Sequence, residues 1–522
     1  MKPTLIDLAS ARCLCFTRFS GDGNLSAAVP PYGQTAGACE QEQRADDSGR
    51  ATARFFFVLA IVAVVIDEIW LRWHGARPNS FAITSLAASI AGLVLLSRRI
   101  GAYPAALPYL PQSSTLSFIG VFFAFLAFYS VTGSLEATGF NEPVRQSYAY
   151  LHGHLWVEDV PDYMEHIIWN GHYYLVHPPL AAILLMPSVL IWGMATNQTA
   201  LSVELGALEV ALAWRLLGLL DVKRAPRTWL TFFYGAGTTL WYEATIGNSW
   251  DFVLVVSVLA TLLCLNELFG QARPWLLGFL TGAAALARND LALAMPLYAL
   301  LLLCRGRELA DLRWMIPGWA LAAAIYVGLN EARYGTIYDP TLWIYYLTDP
   351  VHSRDHGPFS IHYLPANLYT LLFMAPSRNG RFPYIHPTFM GQALPLTSPA
   401  FVLALRPSFK RPIPILLALA AVVSSLPSLT CYASGYAQFG TRYYLQVYPF
   451  LFVLMALGMK YRIDQLSKIL IVVSVFLVGF GYWQIRGLGI GGFPVWTMGT
   501  PVRAQLTRER PALPKIHPAL PQ

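Results

Sequence analysis

Long apolar runs separated by short polar or basic breaks recur from Phe55 almost to the C-terminus, and this alternation dominates the chain. A helix needs roughly 17 to 25 apolar residues to cross the hydrocarbon of a bilayer. The runs therefore predict spans at 55–71, 80–96, 116–133, 200–220, 229–245, 252–269, 275–286, 291–303, 315–329, 394–405, 413–428, 443–457 and 466–480. Several are short, which predicts bent or re-entrant helices. Composition agrees, because 55% of the 522 residues are hydrophobic, only 12% are charged, and the mean hydropathy is +0.46. A soluble domain cannot be that apolar and keep a wettable surface. The expected fold is all-α: an integral membrane protein with about 11 to 13 transmembrane helices and a large extracytoplasmic first core loop containing interfacial helices.

The formal charge of +7 does not point to nucleic acid, since Lys and Arg sit mostly at the ends of apolar runs, where topology alone requires them. Arg98 and Arg99, Lys223, Arg224 and Arg227, Arg305 and Arg307, Arg406, Lys410 and Arg411, and Lys460 and Arg462 form one consistent cytoplasmic set. Arg72, Arg77 and the arginines of the C-terminal tail are exceptions. The loop carrying Glu136, Glu142, Glu158, Asp159, Asp162 and Glu165 then lies outside, and the apolar stretch 178–194 must lie in the outer interface, because counting it as a span would put the Lys223 cluster on the wrong side. The organisation expected is a disordered tail at 1–50, an additional N-terminal span pair at 51–112, a core at 113–485 with its outer loop at 135–198, and a Pro-rich C-terminal tail at 486–522. An over-long start assignment is the other reading of 1–50. Six cysteines form neither a disulfide framework nor a zinc spacing.

The outer loop is polar enough to leave the membrane, yet it holds Phe140, Tyr148, Tyr150, Trp156, Tyr163, Trp169, Tyr173 and Tyr174 and must pack on something. Asn141 is placed to cap a helix whose first turn holds Glu142 and Pro143, with Val144, Tyr148 and Leu151 following at helical spacing. As a cap this arrangement is commonplace. Asp162 and Glu165 share the loop. His166 and His172, near carboxylates, raise the possibility of a divalent metal, but their spacing matches no tight motif, and hydrogen-bonded interfacial histidines are the alternative. Pro178-Pro179 suits the start of an interfacial helix.

An acidic residue soon after a span, the stretch "GHYYLVHPPL" leading into a helix, and a basic end to the next span resemble the GT-C class of membrane glycosyltransferases. More closely, the chain resembles the bacterial relatives of protein O-mannosyltransferases and of the lipid A aminoarabinose transferase. "GFLTGAAALARNDLALAMP", "NEARYGTIYDP" and "YAQFGTRYYLQVYPFL" are similar to further signatures of that branch. The family often has Asp-Glu where this chain has Asn141-Glu142, so a two-carboxylate metal site is not carried over. The resemblance implies transfer of a sugar from a polyprenyl-phosphate donor to a lipid, glycan or protein acceptor at the outer face of the cell membrane. It implies Glu142 as catalytic carboxylate; Asp162 and Glu165, which share its loop, are the reserve candidates, and Tyr174 and His177 are candidates for substrate binding. A departing phosphate needs fixed positive charge, for which an arginine fork is better suited than lysine. Among the outer-side arginines Arg145, Arg288, Arg333, Arg354, Arg378, Arg381 and Arg442, the two favoured are Arg288, in a tight turn, and Arg442, beside Gly440 at a span's mouth. Interfacial anchoring is the alternative for each.

Two other classes stay open. A transporter could use Asp67, Glu68, Glu204, Glu209, Arg215 and Glu267, which lie in or near spans, although no internal repeat is evident. A non-catalytic lipid-binding subunit would also be polytopic.

Overall fold

The computed structural model describes residues 112–133, 135–348, 356–378, 384–388, 390–435 and 438–488. The tail 1–50, the expected span pair in 51–112 with Asp67, Glu68, Arg72, Arg77, Arg98 and Arg99, most of the C-terminal tail, and Arg354 and Arg381 lie outside them.

Among the described residues the regular structure is helical apart from two short antiparallel strand pairs and two isolated bridges, as expected of an all-α membrane protein. The helices are α1 (Gln112–Thr132), α2 (Glu142–Leu151), α3 (Pro179–Trp192), α4 (Gln198–Leu219), α5 (Arg224–Ala236), α6 (Leu240–Ile246), α7 (Ser249–Phe269) and α8 (Pro274–Ala287). There follow α9 (Met295–Cys304), α10 (Ile316–Tyr334), α11 (Thr341–Thr348), α12 (Leu364–Phe373), α13 (Leu394–Thr397), α14 (Pro412–Thr430), α15 (Tyr448–Gly458) and α16 (Gln465–Leu488). Strands β1 (His166–Trp169) and β2 (His172–Leu175) pair antiparallel in the loop before α3, and a two-residue pair joins Ser377–Arg378 to Ile385–His386.

Four helical segments of the described residues are long and apolar enough to cross a membrane: Ser249–Phe269, Leu309–Tyr334, Pro412–Thr430 and Gln465–Ile485. Other expected spans are broken, and the sequence supplies the reasons. The run 229–245 divides into α5 and α6 at Gly237, where Thr238 Oγ1 bonds back to Tyr234 O at 2.7 Å and competes with the helical ladder. The runs at 291–303, 394–405 and 443–457 include 3₁₀ turns beside Pro296, Pro399 and Pro449, since proline removes a backbone donor.

The central helix is α7. Of its apolar window 94% lies inside the protein, against 17% for the segment Leu309–Tyr334, which therefore belongs to the periphery. Several polar groups inside the bundle tie helices to one another, which a hydrocarbon solvent favours. Asn266 Nδ2 donates to Leu212 O at 3.2 Å and to Leu262 O at 2.9 Å, tying α7 to α4, and Tyr482 OH donates to Thr132 O at 2.6 Å. At one end of α7 gather the basic residues. Arg305 Nη2 donates to Phe269 O (3.2 Å), Arg307 Nε to Ala272 O (2.9 Å), and Arg307 Nη2 to Gln271 O (2.9 Å). At its other end, about 31 Å away for 21 residues, lies the aromatic loop.

That loop has a small core of its own, built from Ala149, Val157, Val160, Met164 and Leu175, which answers the expectation that it packs. Helix α3 begins at Pro179, as the Pro-Pro pair requires, and its Ala181, Leu185 and Val189 pack with Val144 of α2 and Phe252 of α7. The opposite side of α3 leaves Leu184, Leu190, Ile191 and Trp192 exposed.

Helices α8 and α10 approach closely because both carry glycine. A Cβ on Gly278 would sit 2.4 Å from Met315 O, and one on Gly318 would sit 2.3 Å from Gly278 C. These are backbone atoms and cannot rotate away. Gly278→Leu is expected to destabilise the protein by about 1–3 kcal/mol or more through overpacking. An unchanged melting temperature in detergent would contradict this contact.

Candidate functional site

Glu142 opens α2, but the cap expected from Asn141 does not form. Its Oδ1 instead accepts from Arg145 Nε at 3.2 Å, and its backbone angles (φ −117°, ψ 37°) carry no side-chain cap. The Glu142 N–H donates to Ser249 Oγ at 2.9 Å, binding the start of α2 to the start of α7. Ser249 Oγ also lies 2.7 Å from Phe140 O and within bonding reach of Glu142 Oε2. A hydroxyl has one hydrogen, so it serves only one of these acceptors at a time. Glu142 is fully buried and its Oε1 has no partner. Burial raises its carboxyl to about 7; the Ser249 hydrogen bond opposes the rise and the nearby Glu165 charge adds to it. A carboxyl poised there can take up and release a proton at neutral pH.

Arg442 enters from the segment before α15. Gly440 (φ +72°) lets this segment pass close to Thr239, whose Cγ2 would meet an added Cβ at 2.6 Å, and the Arg442 N–H donates to Gln438 Oε1 at 3.3 Å. The guanidinium carbon lies 5.6 Å from the Trp250 ring centre and 5.7 Å from that of Tyr443, both cation–π distances. The side chain is buried, its Nε has no partner, and no carboxylate forms a salt bridge with it among the described residues. Glu243 and Asp251 act on it electrostatically and adjoin one another, although Glu243 Oε1 and Oε2 and Asp251 Oδ1 have no donor. His177, buried with Nε2 unpartnered, is held at about 4 by burial and then by the Arg442 charge, so it is neutral at pH 7.

Arg288 differs. Its Nε reaches Asp290 Oδ1 and Oδ2 at 3.3 and 3.1 Å and its Nη2 reaches Oδ2 at 2.8 Å, while Gln446 Nε2 donates to the same Oδ2 at 2.9 Å. Its fork is occupied within the protein. Of the two arginines favoured by the sequence, Arg442 is the one with an open side.

Trp250 connects these groups, since its ring lies 5.0 Å from that of Phe140, two residues before Glu142. Glu165 is half-buried and acts electrostatically on both Glu142 and Tyr443, so it belongs to the same neighbourhood. Asp162 is exposed. Tyr174 is buried against Tyr334, ring centres 5.1 Å apart, on the side of Arg333. The two histidines do not converge. His166 pairs with Leu175 and His172 with Trp169, three ladder positions apart, which is about 10 Å along a strand. His166 Nδ1 contacts Met164 O at 2.8 Å, and His172 stacks on Trp156 at 4.4 Å. Among the described residues no three His, Cys, Asp or Glu side chains gather to hold a metal.

Glu243, Asp251 and Ser249 were not among the sequence candidates. Their signal was present in "WYEATIGNSWDF", a polar interruption placing two carboxyls around a Gly-Asn turn between apolar runs. Of the residues expected to serve transport, Glu267 and Arg215 are committed within the protein, whereas Glu209 is buried with both carboxyl oxygens unpartnered. Glu267 accepts from Arg273 Nη2 at 2.7 Å, and Arg215 Nη1 donates to Asn266 Oδ1 at 3.2 Å.

No protein-family model, no curated protein and no solved structure matches the chain.

Proposed function

We propose that this membrane protein transfers a sugar from a polyprenyl-phosphate donor to an acceptor at the outer face of the cell membrane, through about 11 to 13 spans oriented with the Lys223 and Arg305 clusters in the cytoplasm. One observation carries the reading: a buried carboxyl poised near neutrality, Glu142, and a buried arginine with an open side, Arg442, stand at the same end of α7 around Ser249 and Trp250. In the proposed reaction Glu142 removes the proton from an acceptor hydroxyl or amine. The freed lone pair forms a bond to the anomeric carbon, and the bond from that carbon to the phosphate oxygen breaks. The electron pair leaves with the phosphate, whose growing charge Arg442 stabilises. Neutral His177 hydrogen-bonds the substrate with its open Nε2.

Purified protein given a panel of radiolabelled polyprenyl-phosphate sugars is expected to consume at least one of them. Consumption of none across a broad panel would sink the reading. Transport is the competing reading, and Glu209 favours it: the residue is fully buried in α4 with both carboxyl oxygens unpartnered.

The orientation has its own test. On a background lacking native cysteines, cysteines at the exposed positions Met194 and Lys223 are expected to label from opposite sides of the membrane. Labelling of both from one side would contradict the interfacial assignment of α3.

A further inference from the structure

We propose that Arg333, with Tyr150 and Gln146, forms a second anion site, separate from Arg442, that takes a phosphate group carried by the acceptor. This rests on the sugar-transfer reading and names the class of its second substrate.

Arg333 lies in the last turn of α10, which Gly335 ends in the left-handed conformation (φ +67°). Its side chain is nine-tenths buried, yet among the described residues it has no salt bridge, unlike Arg288 with Asp290 and Arg273 with Glu267. A buried guanidinium without an anion is costly, because its desolvation is uncompensated. Two donors at this place have nothing to bond. Arg333 Nε has no partner. Arg333 Nη2 donates to the Tyr150 hydroxyl oxygen, and Gln146 Nε2 donates to the same oxygen at 2.8 Å. With both lone pairs of that oxygen engaged, the Tyr150 O–H is left as a donor, and no acceptor among the described residues takes it. Gln146 Oε1, also unpartnered, can accept from a hydroxyl of the same ligand.

The carboxylate that acts on Tyr150 is Asp339, and its Oδ1 already accepts from the Thr341 N–H at 2.9 Å and from the Thr341 hydroxyl. Tyr174 and Tyr334 wall the site, their ring centres 5.1 Å apart. An open guanidinium N–H beside an open phenol O–H suits an oxyanion with several lone pairs.

Placement ties the site to the acceptor. Glu142, Gln146 and Tyr150 follow at four-residue intervals along one face of α2, so Tyr150 stands about 12 Å from Glu142. A substrate whose phosphate rests on Arg333 would lie along this face with its nucleophile at Glu142.

The phosphate could equally belong to an ordinary bilayer lipid, and the test separates these sources. Protein in phosphatidylcholine nanodiscs is titrated with glucose 6-phosphate and, separately, with dihexanoyl phosphatidic acid, using glucose and dihexanoyl phosphatidylcholine as controls. The titrations are run on wild type and on Arg442→Gln, so that binding at the donor site is removed. Expected is saturable binding of glucose 6-phosphate that survives Arg442→Gln. On that background, Arg333→Met and Tyr150→Phe should each weaken it about tenfold or more, the usual worth of a hydrogen bond to a charged group. Arg333→Lys should recover part of it. Unaltered affinity in both Arg333→Met and Tyr150→Phe would overturn the proposal, and so would binding confined to phosphatidic acid, which would make this a lipid-headgroup site. The sugar-transfer reading fails separately, if wild type consumes no donor while the phosphate titration behaves as described.

Discussion

Replacing Arg442 with Met is expected to lower donor turnover about 10²- to 10³-fold, the usual cost of removing one fixed donor from a developing oxyanion. The effect should fall on kcat more than on donor binding, because the phosphate bears most charge as its bond to the sugar breaks. Arg442→Lys keeps the charge beside Glu243 and Asp251 and so guards against misfolding, but it loses the planar fork and should recover activity only in part. Arg288→Lys should be far milder, since Asp290 already occupies that fork. The measurement is donor turnover at saturation with protein yield as control. Equal losses at both positions would argue against Arg442 as the phosphate's partner.

Glu142→Gln is expected to be nearly inactive, by about a hundredfold to ten-thousandfold, and the wild-type pH profile should identify the reason. A base must be ionised, and burial places this carboxyl near 7 rather than 4.5. The rate should therefore climb about tenfold per pH unit below 7 and level off above it. Glu165→Gln removes a charge that raises Glu142, so its acid limb should move to lower pH. Stability runs the other way. A carboxyl whose folded pKa lies above its unfolded value favours the fold when protonated, so stability falls as pH rises from about 4.5 through 7. Glu142→Gln should accordingly melt higher than wild type at pH 8 and lose that advantage near pH 4.5. A collapse in Asp162→Asn or Glu165→Gln beside near-normal turnover in Glu142→Gln would move the base to the second cluster.

The helices were legible because bilayer-scale apolar runs are a long-range signal, and α1, α4, α7, α8, α10, α14 and α16 fall on the runs that predicted them. The breaks were less legible. Gly237 with Thr238 divides a run that hydropathy joins, because the hydroxyl's bond to Tyr234 O is invisible to an average over apolar residues. The hairpin at His166–Leu175 carries only a two-residue signal, Asn170-Gly171, both at positive φ (49° and 81°), because the flanking residues do not alternate as a half-buried strand would. At the site, Glu142 could be found from its place just after a span. That Ser249 rather than Asn141 holds its backbone could not, since that contact bridges more than a hundred residues. Likewise the Arg288 and Arg442 side chains look alike in sequence, and only the neighbouring Asp290 separates an occupied fork from an open one.

Sugar transfer in sealed vesicles of known orientation, using the radiolabelled donor that purified protein consumes and following release of polyprenyl phosphate, puts both the chemistry at Glu142 and its side of the membrane to the test. Release is expected when donor and acceptor are supplied on the side away from the Lys223 and Arg305 clusters, with little release by Glu142→Gln. No release by wild type on either side, or equal release by Glu142→Gln, would contradict the proposed reaction.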